Sequence, residues 1–182
     1  MVRLFFCLRG EVDKEWIFAD GSYVRAHQHA SGARHGSERA IGRSHGGATT
    51  KIHIAADANG NPIDFEITGG EVHDSQVAGK LIESCGDEGA AFVGDKGYDA
   101  EAIREKIREK NMIPVIPRRS NSLRPNPEFD SHLYRLRHLV ENLFAKLKHF
   151  RSVATRFEKL ARNFKSTVFL ACSLTYLRLD AK

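Results

Sequence analysis

One stretch, residues 130–150 (DSHLYRLRHLVENLFAKLKHF), constrains the fold of this chain more than any other. Asp130 or Ser131 can cap the start of a helix, and neither Gly nor Pro follows for the rest of the stretch. Apolar residues recur at helical spacing, namely Leu136, Leu139, Val140, Leu143, Leu147 and Phe150. The pattern predicts one amphipathic helix.

The same helix carries a polar stripe beside its apolar face. At about 100° per residue, Tyr134, Arg137 and Lys148 lie within roughly 40° of the direction of Glu141. A solvated face explains such a stripe, with ordinary pairing four residues apart between Arg137 and Glu141. A carboxylate bracketed by two cations and a phenol is the alternative, a functional site. The helix alone favours the solvated face, so the choice depends on the rest of the chain.

The composition excludes several classes of protein. The chain has 182 residues, enough for one domain, and is 41% hydrophobic and 28% charged, as soluble globular proteins are. A net charge of +5 favours a nucleic-acid partner mildly. Cys7, Cys85 and Cys172 are far apart and odd in number, which argues against a disulfide framework or a cysteine zinc site and favours a reducing, cytoplasmic setting. We find no targeting signal and no membrane-spanning run, so no membrane partner is expected.

The remaining chain alternates strands and helices. Strands are predicted at 16–24, 49–57, 62–68, 90–94 and 112–116, and further helices at 74–84, 98–110 and 160–179. Asn59-Gly60 predicts a tight antiparallel hairpin, and Pro114 places the fifth strand at an edge. Residues 1–15 show neither a period nor a cap, so we expect a truncated lead-in followed by one domain, 16–182.

This order of elements is typical of an α/β fold with a ribonuclease H-like mixed five-stranded sheet flanked by helices. In that layout the first and fourth strands are neighbours. Asp20 and Asp95 would then lie side by side, with the helix of Glu141 across them. Like charges raise each other's pKa and cost stability, and a divalent cation relieves that repulsion. Carboxylate oxygens suit Mg²⁺ or Mn²⁺.

The chain also resembles a known family. The signature Y-x2-R-x3-E-x6-K of DDE transposases from bacterial insertion sequences is matched by Tyr134, Arg137, Glu141 and Lys148. DGSYVRAHQHASGA at the first acid, GRSHGGATTKIH, DANGNP, GDKGYDA at the second acid and FRSVATRFEKLARNF are similar to the insertion-sequence-five group. The resemblance covers nearly everything from Trp16 to Leu177, and an ordered set of this kind is highly specific.

The resemblance implies a function and residues that perform it. Asp20, Asp95 and Glu141 match the catalytic and metal-binding triad, Arg137 and Lys148 match cations that face the DNA backbone, and Tyr134 matches the phenol of the signature. The implied activity is metal-dependent cleavage at the transposon end, followed by attack of the 3′-OH on target DNA. The implied partners are double-stranded transposon-end and target DNA, a homo-oligomer or an upstream-frame partner, and the bacterial nucleoid.

The chain departs from the family at its start. Family members carry an N-terminal helical segment that recognises the transposon ends, whereas few residues precede the first strand here. We therefore expect a truncated copy or a second reading frame. A nuclease of the same fold, and an inactive DNA-binding remnant that inhibits the full-length transposase, are the alternatives.

Several other residues have two interpretations. Arg25 and Arg43 in a Gly-rich loop, and Arg118 and Arg119 in a Pro-rich loop, are further DNA contacts or ordinary basic loop residues. Asp74 is a group that supports the site or, the favoured interpretation, a helix N-cap. A set of histidines either binds Zn²⁺ or Ni²⁺ or, as favoured, belongs to a solvated DNA-contacting loop. These histidines are His27, His29, His35 and His45.

Overall fold

The computed structural model describes residues 1–10, 12–30, 39–127 and 129–177. Seven α-helices occur in this part of the chain. They are α1 (Val2–Arg9), α2 (Asp74–Cys85), α3 (Glu101–Glu109), α4 (Ser131–Arg135), α5 (His138–His149), α6 (Arg151–Ala154) and α7 (Ala161–Tyr176). His35 lies outside the described residues.

The strands form one mixed sheet. They are β1 (Trp16–Ala26), β2 (Gly42–Ser44), β3 (Gly47–Ala56), β4 (Pro62–Gly69), β5 (Ala91–Val93), β6 (Ile113–Val115) and β7 (Thr155–Arg156). The order is β2-β3-β1-β5-β6, with β4 paired to β3 and β7 paired to β1. The five predicted strands, the β3–β4 hairpin and the edge position of β6 are confirmed. The predicted number of strands was wrong, because two short strands, β2 and β7, join the sheet.

Two cores cover the two faces of the sheet. Alternate residues of each strand point to opposite faces. In β1, Phe18 and Val24 join a core with α1, α5 and α7, whereas Ile17 and Ala19 join a core with α2 and α3. This arrangement confirms the predicted mixed sheet flanked by helices. It also fixes α5 on the face to which residues of even number in β1 point.

The start of the chain is an ordered element. Residues 2–9, for which no helix was predicted, form α1. Phe5 is fully buried in the α5–α7 core, with its ring 5.3 Å from that of Phe169 and 6.0 Å from that of Tyr176. The expectation of no regular element here was therefore wrong, whereas the truncated lead-in over 1–15 stays a prediction. Its helix is stabilised by packing rather than by a cap.

The stretch 130–150 is two helices rather than the single one predicted. Asp130 caps α4, where its Oδ1 accepts the amides of His132 and Leu133 at 2.7 and 3.0 Å. Around Arg137 the backbone tightens, because the amides of Leu136, Arg137 and Val140 each bond to the third residue back. Such 3₁₀ stretches inside helices often occur at functional positions. Here the stretch places Arg137 at the junction of α4 and α5.

No helix in the described part of the chain is both long and apolar enough to span a membrane.

Candidate active site

Two acids lie just beyond the paired segment of two adjacent strands, Asp20 within β1 and Asp95 two residues after the end of β5. β1 and β5 are parallel, and Phe18 pairs with Val93. Asp20 and Asp95 follow these residues by two positions each, so they lie at the same level of two neighbouring strands, where β5 has ended and β1 continues. Asp20 Oδ1 accepts the Gly21 amide at 2.9 Å, and Asp95 Oδ1 accepts the Gly97 amide at 2.7 Å. The predicted neighbourhood of the first and fourth strands is confirmed.

The environment of Asp20 disfavours its charged form. Burial raises the pKa of Asp20, the Arg137 guanidinium and the Gly21 amide lower it, and the charges of Asp95 and Asp74 raise it further; the pKa is raised overall. The neighbouring carboxylates therefore repel Asp20. A cation placed among them would remove that repulsion.

Arg137 links Asp20 to the third predicted acid. Its Nη1 lies 3.3 Å from Asp20 Oδ1, and its Nη2 donates to Glu141 Oε1 at 2.5 Å. Burial lowers the pKa of Arg137, but the carboxylates of Asp20 and Glu141 outweigh burial and raise it. Glu141 is half exposed, at 52% of its side-chain surface, so it can turn without unpacking α5. Glu141 is thus linked to Asp20 through the guanidinium of Arg137 and not by direct contact.

The donor chemistry of this site fits a divalent cation. Asp20, Asp95 and Glu141 offer only oxygen ligands, as Mg²⁺ and Mn²⁺ prefer. Across residues 1–10, 12–30, 39–127 and 129–177, no three His, Cys, Asp or Glu side chains are close enough to hold a metal ion. The positive charge between Asp20 and Glu141 is the guanidinium of Arg137, which forms an ion pair with each of them.

The other two residues of the polar stripe lie along the same helices. Tyr134 is half-buried, with its ring 5.4 Å from that of Phe129. Lys148 is half-buried on α5, and burial lowers its pKa. It makes no hydrogen bond or ion pair with any described residue. Its ammonium group is therefore available for an anion.

Comparison with known proteins decides the family. The model of the transposase DDE domain matches residues 12–176. A protein of Brucella ovis named "Putative transposase for insertion sequence element IS6501" is 35% identical over 134 residues, which are 71% of this chain and 99% of that protein. A Burkholderia cepacia protein with the same description for element IS402 is 33% identical over 135 residues, covering 69% of this chain and 61% of that protein.

The chain belongs to the DDE transposase family. A solved structure, the piggyBac transposase synaptic complex with hairpin DNA, shares the fold at a TM-score of 0.56 and 11% identity over 93% of this chain. The chain spans 48% of that piggyBac chain. The family and the ribonuclease H-like fold expected from the sequence are confirmed, and the family is one of enzymes that act on DNA phosphodiesters.

The two arginines of the Pro-rich loop differ in what they contact. Arg118 Nη1 lies 3.0 Å from Glu101 Oε2 and 3.3 Å from Asp99 Oδ1, and its Nη2 donates to the Pro125 carbonyl at 3.3 Å. Arg119 is exposed, and its Nε donates to the Lys96 carbonyl beside Asp95 at 3.4 Å. Arg118 therefore ties its loop to α3, whereas Arg119 faces solvent next to the transposase site.

Two arginines of the Gly-rich region, Arg25 and Arg43, lie at one corner of the sheet. Arg25 and Arg43 are both exposed, and they pair with Thr49 and Ala48, adjacent residues of β3. His27 stacks on Phe157 with ring centroids 4.6 Å apart, and His29 contacts His27. No described histidine belongs to a group of three metal-ligating side chains.

The structure adds residues that sequence reasoning did not place in the site. Asp74 does not cap α2, because His73 is the N-cap residue and makes no side-chain cap bond. Asp74 Oδ2 instead accepts from Lys51 Nζ at 2.6 Å, and its Oδ1 lies 2.9 Å from His53 Nδ1. The N-cap interpretation was wrong. The sequence held a signal, since Lys51 and His53 alternate with apolar residues in a strand that is buried on both faces.

Proposed function

We propose that this chain is the catalytic core of an insertion-sequence transposase, which cleaves DNA at the element's end and joins the 3′-OH to target DNA. One observation carries this proposal. Asp20 and Asp95 lie at the same level of two neighbouring parallel strands, and Arg137 connects Asp20 to Glu141 on the helix packed across the sheet. The raised pKa of Asp20 supports it, because an acid crowded by acids suits a cation-binding site.

In this proposal Asp20, Asp95 and Glu141 hold Mg²⁺ or Mn²⁺. The cation, when bound, activates water and neutralises charge on the phosphodiester. Glu141 turns from Arg137 towards Asp20 and Asp95, which its half-exposed position allows. The guanidinium of Arg137 is then released to contact a phosphate oxygen, for which its planar fork is suited.

The DNA backbone would follow the basic residues that surround the site. Lys148, with no partner among the described residues, and Tyr134 extend the contact along α4 and α5. Arg119 extends it beside Asp95, and Arg25 and Arg43 extend it at the far corner of the sheet. Arg118, which is paired with Glu101 and Asp99, supports its loop and does not contact the DNA. Contacts of this kind fix the position of a duplex but carry no sequence information.

We propose double-stranded DNA as the main partner and a further copy of the chain, or a partner from an upstream frame, as the second. The piggyBac structure is a synaptic complex with hairpin DNA. An analogous assembly of this chain would bring two ends together on the bacterial nucleoid.

A strand-transfer assay tests the proposal. The chain is incubated with Mg²⁺ or Mn²⁺, a plasmid target and one of two labelled duplexes. The first carries the element's end joined to flanking DNA and reports cleavage, and the second already ends in a 3′-OH and reports joining. We expect cleavage of the element's end and covalent joining of label to plasmid. Both activities should fall by at least about a hundredfold in Asp95→Asn, consistent with the loss of a transition-state contact, while Asp87→Asn, an exposed acid paired with Lys14, should retain them.

Two outcomes would contradict the proposal. Cleavage without joining would make the chain a nuclease of the same fold. DNA binding with no cleavage under either metal would make it a DNA-binding remnant.

A further inference from the structure

A buried polar cluster lies on the face of the sheet opposite to α5. It consists of Lys51, His53 and Asp74, of which Lys51 is 4% and His53 0% exposed. His53 Nε2 lies 2.8 Å from Thr68 Oγ1, so both ring nitrogens have partners. Burying a charged pair in this way carries a desolvation penalty, and stability alone is a weak reason for it.

Asp74 lies against the backbone that carries the catalytic acids. A Cβ at Gly21 would lie 2.1 Å from Asp74 Oδ1, so only a glycine next to Asp20 leaves room for this carboxylate. A Cβ at Gly97 would lie 3.7 Å from Asp74 Oδ2 and 2.8 Å from Asp95 Oδ1. Asp74 therefore lies against the backbone beside Asp20 and across Gly97 from Asp95.

Tyr98 supplies an independent sign that this position has a ligand. Its side chain is fully buried, and its hydroxyl has no hydrogen-bond partner among the described residues. Buried hydroxyls are almost always bonded, because an unpaired one loses its hydration without replacement. Tyr98 directly follows Gly97, against which Asp74 lies. Burial raises the pKa of Tyr98, and the charges of Asp74, Asp20 and Asp95 raise it further.

We propose that Asp74 and the Tyr98 hydroxyl contact a hydrated divalent cation through one of its waters, without binding the cation directly. They hold one of the waters that such a cation keeps, with Tyr98 donating to the water oxygen and Asp74 accepting from a water hydrogen. The inference rests on the proposed function, since it assumes the cation that Asp20, Asp95 and Glu141 bind. It adds Asp74 as a fourth functional carboxylate and Tyr98 as a positioning residue.

The cluster explains how Asp74 can serve as an acceptor. Each of its oxygens accepts one bond, from Lys51 or His53, and a carboxylate has about four lone-pair positions. Burial raises the pKa of Asp74, but the hydrogen bonds of His53 and Lys51 lower it overall. The carboxylate thus stays ionised and oriented, with a lone pair left on each oxygen.

Tyr98→Phe is the sharpest test, because it removes one hydroxyl and no packing. Free Mn²⁺ is counted by electron paramagnetic resonance during titration of the metal-free chain, and the thermal midpoint is measured in EDTA. We expect the midpoint to stay unchanged or rise, since an unpaired polar group is lost, while the Kd for Mn²⁺ increases about tenfold, the low end for groups outside the first coordination sphere.

Tyr176→Phe is the matched control. Tyr176 is a half-buried phenol, and its hydroxyl donates to the Pro62 carbonyl at 2.5 Å. Its loss should lower the midpoint in EDTA and leave the Kd for Mn²⁺ unchanged. The double variant Asp74→Asn with Lys51→Met removes both charges of the pair, so no buried ammonium group is stranded, and it should also bind Mn²⁺ about tenfold more weakly.

The outcomes separate this inference from the proposed function. Wild-type affinity for Mn²⁺ in both Tyr98→Phe and the double variant, with affinity lost in Asp95→Asn, would overturn the inference and leave the proposed function standing. Equal Mn²⁺ binding by the wild type and Asp95→Asn would overturn both.

Discussion

Arg137 shows what a local pattern can and cannot predict about one residue. Its pairing with Glu141 four residues later follows from helix geometry and is confirmed. Its second contact, with Asp20, joins two residues that are far apart in the sequence. The sequence could not distinguish a solvated stripe from a site at this position, because the same i,i+4 pair occurs in both. The contact with Asp20 is the difference.

Asp20→Asn should stabilise the metal-free chain at neutral pH by about 0.5–2 kcal/mol, the usual range for relief of a strained site. The pKa of Asp20 is raised in the folded state, so the folded chain holds its proton more tightly than the unfolded chain does. Stability is therefore lost as pH rises from the unfolded pKa through the folded one. The measurement is urea unfolding in EDTA from pH 3 to 8.

The advantage of the asparagine variant should disappear below about pH 4, where Asp20 is protonated in both states. Asp87→Asn, at an exposed ion pair with Lys14, is the control and should show no such dependence. A variant less stable than the wild type at pH 7 would contradict the assignment of Asp20 to a crowded acidic site.

Among the elements, those with strong local signals were predicted best. β4 and α2 were predicted to within a residue, since period-two alternation and period-3.6 spacing are local properties of the chain. α1 was missed because it has no side-chain cap and only eight residues. Helices this short are marginal without tertiary packing. The helix exists because Phe5 packs on α7.

Phe5→Ala should lower the free energy of unfolding by about 3–5 kcal/mol, as other losses of a buried Phe do. The reason is the cavity left beside Phe169 and Tyr176 in the main core. Leu4→Ala on the exposed side of α1, where Leu4 is 44% exposed, should change stability by less than about 0.5 kcal/mol. Urea unfolding measures both. Equal effects of the two substitutions would mean that α1 does not belong to the core.

At the scale of the whole molecule, charge is distributed unevenly around the site. Arg119, Arg25 and Arg43 are exposed, Lys148 has no described partner, and Arg137 lies between two acids. Arg118 is held by Glu101, whose hydrogen bond raises the pKa of Arg118. Burial lowers this pKa and Asp99 raises it, so it is raised overall. Net charge predicted a nucleic-acid partner but could not show which arginines are free to contact it.

Binding to duplex DNA should weaken with salt at a log–log slope of about −4 to −5 if about five phosphates are contacted. Arg119→Ala should reduce the magnitude of that slope by about one, because one counterion fewer is released. Arg118→Ala should lower the thermal midpoint and leave the slope unchanged. Fluorescence anisotropy at several salt concentrations measures the slope, and an equal loss of slope in both variants would contradict the structural role of Arg118.

The sequence by itself determined the order of the five predicted strands and of α2, α3 and α7, the family signature, and the candidate acids at positions 20, 95 and 141, because periodicity and motif spacing are properties of neighbouring residues. The tertiary structure decided the partners of each charge. It placed Arg137 between Asp20 and Glu141 and paired Asp74 with Lys51 and His53 instead of with the α2 terminus. It also buried the Tyr98 hydroxyl without a hydrogen-bond partner among the described residues. These outcomes depend on distances through space and on burial, which only the assembled sheet and its two helical layers set.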